Sequence, residues 1–291
     1  MQNVHFTPPQ LAPLFGVNVS TIKRWADNGY LETDLTAGGH RRISREQLEF
    51  FIKKYPRYAK NSYVLRRLLK KEHCPDVHCW KAYYRLLKNN EGDRAAEIID
   101  KEYLAGSPIL GILSKVITPT MRQMSADWSD DTISVYEEHR MSFTIRTHLM
   151  KLSQYVPSTV TKRSPSAILT CAPGEYHELP LQLLELVFKI NGWNTHTLGV
   201  NISIQELIKA AKKIKPRVII SSKTYATKES PAYYKKLFAF ADKNGICLAF
   251  GGGAWGKKFT YAPWKSKKCA RFFPALAEFS NFLKTYRRKA A

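Results

Sequence analysis

Residues 167–191 read AILTCAPGEYHELPLQLLELVFKIN. Ala167 to Cys171 is a short, largely apolar run of strand length, Pro173-Gly174 supplies a turn, and Leu179 to Asn191 carries apolar residues at helical spacing. The stretch therefore predicts a strand, a tight loop and a helix, which is half of a βαβ unit. The rhythm continues with short strands at Thr195–Leu198, Val218–Ser221 and Cys247–Phe250, separated by helices at Gln205–Lys213 and Ala232–Lys243. Such alternation predicts a parallel, doubly wound, Rossmann-like sheet domain over residues 161–291. Ligands of open sheets bind beyond the carboxyl ends of the strands. The loops to inspect are thus residues 172–179, 221–228 and 251–256.

The first of these loops places Glu175 two residues before His177. An imidazole binds a transition metal through one nitrogen while a carboxylate orients the other, so His177 is a candidate metal ligand with Glu175 behind it. Taken alone, a histidine beside a turn is more often part of an ordinary loop than a ligand. Upstream, residues 80–160 predict four helices, from the spacings Tyr84-Leu87, Ala95-Ile98-Ile99, Ile109-Leu113-Val116 and Met141-Ile145-Leu149, with Pro108 and Pro119 near helix starts. Residues 59–79 read as a basic linker. His73, Cys74, His78 and Cys79 within it have zinc-binding chemistry but no standard finger spacing, and reduced thiols on a helical linker are the competing reading.

Residues 1–58 predict a winged helix-turn-helix. Thr7 followed by Pro8 opens one helix, Gly16 makes the turn, and Ser20 is read as the cap of a second helix that buries Ile22 and Ala26 and presents Lys23 and Arg24. Gly38-Gly39 then turns a hairpin from which His40, Arg41 and Arg42 project as a wing, and the capping box Ser44-x-x-Gln47 opens a third helix carrying Leu48, Phe51 and Ile52. Lys23, Arg24, His40, Arg41 and Arg42 are the candidate DNA contacts.

The chain has 291 residues and a formal charge of +22, which favours a polyanionic partner. Residues 161–291 hold 23 basic and 7 acidic groups, most of the excess, and clusters such as Lys209, Lys212, Lys213, Lys215 and Arg287, Arg288, Lys289 read as solvated helix faces or tails. Five cysteines without regular spacing suit reduced thiols, and no apolar run is long enough to span a bilayer, so a cytoplasmic protein with no membrane association is expected.

The ordered segment FTPPQLAPLFGVNVSTIKRWADNGYLETDLTAGGHRRISREQLEFFI resembles the DNA-binding domain of the MerR family, above all at STIKRW and GGHRRI. Residues 80–280, with four helices ahead of a strand-helix domain and Glu-x-His after its first strand, resemble the cobalamin-binding module. Trp128, followed by nine residues and then Glu138-His139, is similar to the Trp-x9-Glu-His pattern of light-responsive MerR-type repressors of the CarH and LitR type. The resemblance implies a multidomain α + α/β chain: a winged helix-turn-helix, a four-helix bundle and a Rossmann-like cobalamin-binding domain. It implies His177 on cobalt, Glu175 behind it, Ser221, Gly251 and Gly252 along the buried tail of the cofactor, and Trp128, Glu138 and His139 around the adenosyl group of adenosylcobalamin.

The implied function is a non-enzymatic repressor of promoter DNA, self-associated as a dimer or tetramer, whose photolysis changes the oligomer and releases the duplex. Two other readings stand beside it: a ligand-independent repressor keeping the fold as an oligomerisation scaffold, and a corrinoid methyl carrier. Three positions depart from the pattern. Pro180 replaces a glycine, Lys223 replaces the leucine of Ser-x-Leu, and Ser129 stands where some members carry a cobalt-trapping histidine. With these changes the bound group is cobalamin, another tetrapyrrole or nothing.

Overall fold

Strand β1 (His5–Phe6) runs into helix α1 (Pro8–Phe15), where the backbone N–H and the hydroxyl of Thr7 both donate to Gln10 Oε1, at 2.8 and 2.9 Å. Two prolines in the first turn cost no hydrogen bond there, and Gly16 ends the helix at φ 65°. Helix α2 (Val19–Asp27) has Asn18 rather than Ser20 at its cap position, two residues earlier than the sequence suggests. It buries Ile22 and Trp25, while Ala26 is only half-buried. The indole wins because a ring of that area finds Phe15, Phe51 and Tyr58 within 5.3 Å of its centroid. Strands β2 (Asp34–Leu35) and β3 (Arg41–Ser44) pair antiparallel, and β1 joins the other edge of β3. Gly39, at φ 74°, takes the left-handed position in the turn between β2 and β3. Helix α3 (Arg45–Lys54) opens with the expected capping box and buries Leu48, Phe51 and Ile52.

The structure, a computed structural model, describes residues 5–59, 65, 79–156, 159–225, 231–255 and 270–288. Among the proposed zinc ligands only Cys79 falls within these, and its thiol lies 3.5 Å from Glu102; His73, Cys74 and His78 lie outside. The chain divides into two compact units, Met1–Pro157 and Ser158–Ala291.

The rest of the first unit comprises α4 (Cys79–Lys88), α5 (Gly92–Leu104), α6 (Ile109–Ile112), α7 (Thr118–Ser129) and α8 (Val135–Tyr155). Tyr83, not Tyr84, faces the core, where its hydroxyl meets His148 Nδ1 at 2.7 Å. Pro108 caps α6 as expected. Pro119 also lies near a helix start, as the second residue of α7, although a π-turn over Leu113–Ile117 joins α6 to α7 without a break. The widened turn lies just before the residue that lacks an N–H, where a regular ladder would lose a bond. Phe6 from β1 packs on Tyr103 of α5, which stacks on Tyr155 of α8 at 4.5 Å; Tyr155 donates to buried Asp100, whose other oxygen holds Lys151.

The second unit is a five-stranded parallel sheet. Its strands are β4 (Ser166–Cys171), β5 (Asn194–Gly199), β6 (Val218–Ser222), β7 (Cys247–Gly251) and β8 (Ala270–Phe272), in the order β5-β4-β6-β7-β8. Helices α9 (Leu179–Ile190), α10 (Ile204–Ile214), α11 (Pro231–Lys243) and α12 (Leu276–Arg288) cover it. β4 and β6 are buried almost throughout, as strands covered on both faces must be. Leu207 and Ala211 of α10 and Leu237 and Ala241 of α11 share one core with Ile168, Ile219 and Leu248. The chain steps from β4 outward to β5 and then back across to β6, so right-handed crossovers put α9 and α10 on opposite faces. The direction reverses at β4. Loops after β4 and β6 therefore diverge, which makes the crevice where open sheets bind ligands. No helix of the described residues is long and apolar enough to cross a membrane.

Candidate functional site

That crevice is where Glu175 and His177 stand. Glu175 is 1% exposed, and its carboxylate ties the two diverging loops together. One oxygen accepts the backbone N–H of His177 at 2.9 Å and also meets His177 Nδ1; the other accepts the backbone N–H groups of Thr224 and Tyr225 at 2.6 and 3.2 Å. Burial pushes this carboxyl's pKa up, but the imidazole and three backbone donors together outweigh burial and hold it at about 2. The anion is thus locked in place. His177 is held by its Nδ1 and packs on Tyr225 at 4.9 Å, with its side chain 44% exposed. Cys171, at the end of β4, donates to the His177 carbonyl at 3.5 Å, and its thiol is pushed up to about 12, by burial first and then by Glu175 and Glu178. It is a packing group, not a nucleophile.

Beyond β6, Trp255 Nε1 donates to the Ser221 carbonyl at 3.1 Å, and the ring carries the Lys223 ammonium over its face at 5.1 Å. Lys223 is 1% exposed, so it does not snorkel to solvent; the indole face offsets part of its desolvation. Gly252 has φ 108°, and a Cβ there would lie 2.2 Å from the Lys223 carbonyl oxygen. Gly251 accepts the Lys223 N–H at 3.0 Å. Among the described residues the Ser221 hydroxyl is buried without a hydrogen-bond partner. An orphaned donor near the end of β6 and an oriented imidazole in the loop after β4 fit a ligand that brings both a metal and a hydrogen-bond acceptor. Pro180 sits in the first turn of α9, where its missing N–H is harmless.

Trp128 lies in the last turn of α7, and Glu138 and His139 lie in the first turns of α8, a helix that contacts α7. Glu138 accepts from Ser142 at 2.6 Å, and His139 is an exposed ring 3.7 Å from it. Asp127 anchors the end of α7 by accepting from Tyr84 and Gln123, each at 2.6 Å. The Ser129 hydroxyl bonds back to the Ser125 carbonyl. In the amino-terminal part, Lys23 and Arg24 are exposed on α2, and His40 and Arg42 are exposed on the hairpin. Arg41 instead pairs with Asp27, tying the hairpin to the end of α2.

The partners that the sequence did not reveal are the amides of Thr224 and Tyr225 and the ring of Trp255. Nothing in their identity marks them, since two act through backbone and the third is placed by the helical turn that follows β7.

No family model matches the chain. It is 28% identical over 123 residues to the HTH-type transcriptional repressor CarH of Myxococcus xanthus, covering 42% of this chain and 40% of that protein. The chain is similar to CarH. Over 132 residues it is also 26% identical to the HTH-type transcriptional repressor CarA of the same organism, covering 45% and 43% of the two. The CarH-like chain therefore spans less than half the length of either curated relative. Among solved structures, the monomethylamine corrinoid protein of Methanosarcina barkeri superposes with a TM-score of 0.57 at 16% identity, covering 73% of this chain and all of that one. At that identity the likeness is one of fold.

Proposed function

We propose that the chain is a cytoplasmic DNA-binding repressor whose carboxyl-terminal unit holds adenosylcobalamin and whose DNA binding responds to light. The observation that carries this reading is the clamp at the switch point, where buried Glu175 fixes the half-exposed imidazole of His177 in a CarH-like chain. With Nδ1 engaged, Nε2 is the nitrogen that cobalt would take. Ser221 is the donor for the ligand's tail, Gly251 and Gly252 keep the backbone close beside it, and Trp128, Glu138 and His139 are the residues for its upper face. The cofactor would supply a cobalt-carbon bond that light breaks. Pairing of Arg41 with Asp27 supports a reading in which hairpin and α2 enter DNA as one winged helix-turn-helix, with Lys23, Arg24, His40 and Arg42 at phosphates or base edges. Self-association as a dimer or tetramer multiplies the affinity of each reader for the promoter.

The test is an absorption spectrum of protein produced with adenosylcobalamin, taken in darkness and after green light, beside the same spectra of His177→Ala and a promoter-shift assay in both conditions. Bound corrinoid that is lost in His177→Ala, with a light-dependent shift, is the expected result. Colourless wild-type protein overturns the sensor.

One observation favours a second reading, a ligand-independent repressor that keeps the fold as a scaffold: the buried Lys223 ammonium lies just beyond the end of β6. Unchanged promoter occupancy and cofactor content in His177→Ala select that reading. A corrinoid methyl carrier accounts for neither the basic hairpin nor α2.

A further inference from the structure

Among the helices of the second unit, α9 carries a single cation, Lys189, while α10, α11 and α12 each carry three. α10 carries Lys209, Lys212 and Lys213, and α11 carries Lys235, Lys236 and Lys243, all exposed, against the acidic Glu206 and Asp242. The two helices contact each other and share one hydrophobic core, so their outer surfaces form one continuous face. Among the described residues only Lys209 of these six has an ionic partner, Glu206 at 3.6 Å. Lys209, Lys212 and Lys213 are neighbours at helical spacings of three and four, and like charges placed so work against the helix that holds them.

The cations of the other layer are used differently. Arg287 donates to the Asn191 carbonyl at 2.9 Å, and Arg217 and Arg271 lie over the rings of Tyr286 and Phe282. Those guanidiniums hold α12 onto the sheet, whereas among the described residues Lys209 meets only Glu206 and the other five lysines of α10 and α11 have no ionic partner.

We propose that the α10–α11 face is a second, sequence-independent DNA-binding surface, separate from the amino-terminal reader. Packed helices run about 8–10 Å apart, so the lysines form two cationic rows on long flexible stems, which suits the regular phosphates of a duplex. Lysine ammoniums are point charges that follow phosphate without reading bases. The surface would hold duplex flanking the reader's site and raise the reader's effective concentration there.

The test uses the full chain and a duplex that contains no operator, with binding followed by fluorescence anisotropy over a salt series. In the fourfold variant Lys209→Gln, Lys212→Gln, Lys213→Gln, Lys235→Gln, each lost phosphate contact removes about 0.9 from the slope of log affinity against log salt, so the slope should fall by about 2 to 4. The fourfold Lys→Arg variant should keep the wild-type slope, and a melt of each variant should show the same transition. A reader variant, Lys23→Gln, Arg24→Gln, Arg42→Gln, should retain salt-dependent binding that the lysine substitutions then remove. An unchanged slope in the Lys→Gln variant overturns the proposal. So does complete loss of binding in the reader variant, or binding of anionic phosphatidylserine vesicles that duplex does not compete away.

Discussion

Replacing Glu175 with glutamine tests the clamp at the crevice directly. The shape is kept and the charge is removed, while an amide NH2 now faces N–H donors that met a carboxylate oxygen. In the native unit three backbone amides and the His177 ring converge on that carboxylate, which is 1% exposed. Holding the carboxyl at about 2 against its ordinary 4.5 corresponds to roughly 3 kcal/mol in favour of the folded, ionised form. Glutamine retains part of this through its carbonyl, so the expected loss is about 2 kcal/mol, seen as a fall of roughly 8 °C in the melting of the sheet unit. The pH dependence fixes the cause. Because the folded value is depressed, the stabilisation is complete above pH 4.5 and fades as the pH falls toward about 2. Thermal melts of wild type and Glu175→Gln should therefore converge across that window. A constant difference, or one below about 0.5 kcal/mol at neutral pH, would refute the reasoning.

Three further outcomes are expected. Ser221→Ala removes a buried hydroxyl that has no partner, so the ligand-free unit should gain about 1 kcal/mol in a melt while corrinoid uptake, followed by absorbance, declines. Gly252→Ala drives a Cβ to 2.2 Å from the Lys223 carbonyl at φ 108°, and urea denaturation should show a loss of about 3 kcal/mol. His148 is held at about 4, by burial first and then by Lys151, against an ordinary 6.5; the first unit should lose stability as pH falls from 6.5 toward 4, and His148→Gln should flatten that loss in pH-dependent melts.

The sheet unit was legible because its strands are short apolar runs separated by helices of ordinary length. Each of the four strands expected there agrees with the structure to within two residues at either end. What escaped was β8 and α12, since Ala270–Phe272 is too brief to show a period and the arginines near the chain end read as a solvated tail. Arg287 in fact anchors α12 to the Asn191 carbonyl. In the crevice, Glu175 and His177 were visible as side chains at a spacing. The identity of their partners was not, because backbone amides look the same in every sequence and only the topology brings residues 224 and 225 to Glu175. Trp25 replaced Ala26 for a related reason: helical phase alone does not rank two inward candidates, whereas ring area does.

The π-turn at Leu113–Ile117 makes the second half of its helix hostage to a single surplus residue. One residue is about 100° of helical rotation. Periodicity counted from Ile109 thus points to the wrong flank by the time it reaches Met124, Asp127 and Trp128, and a deletion anywhere in that loosened turn would swing the indole off its bearing like a dial moved by one notch.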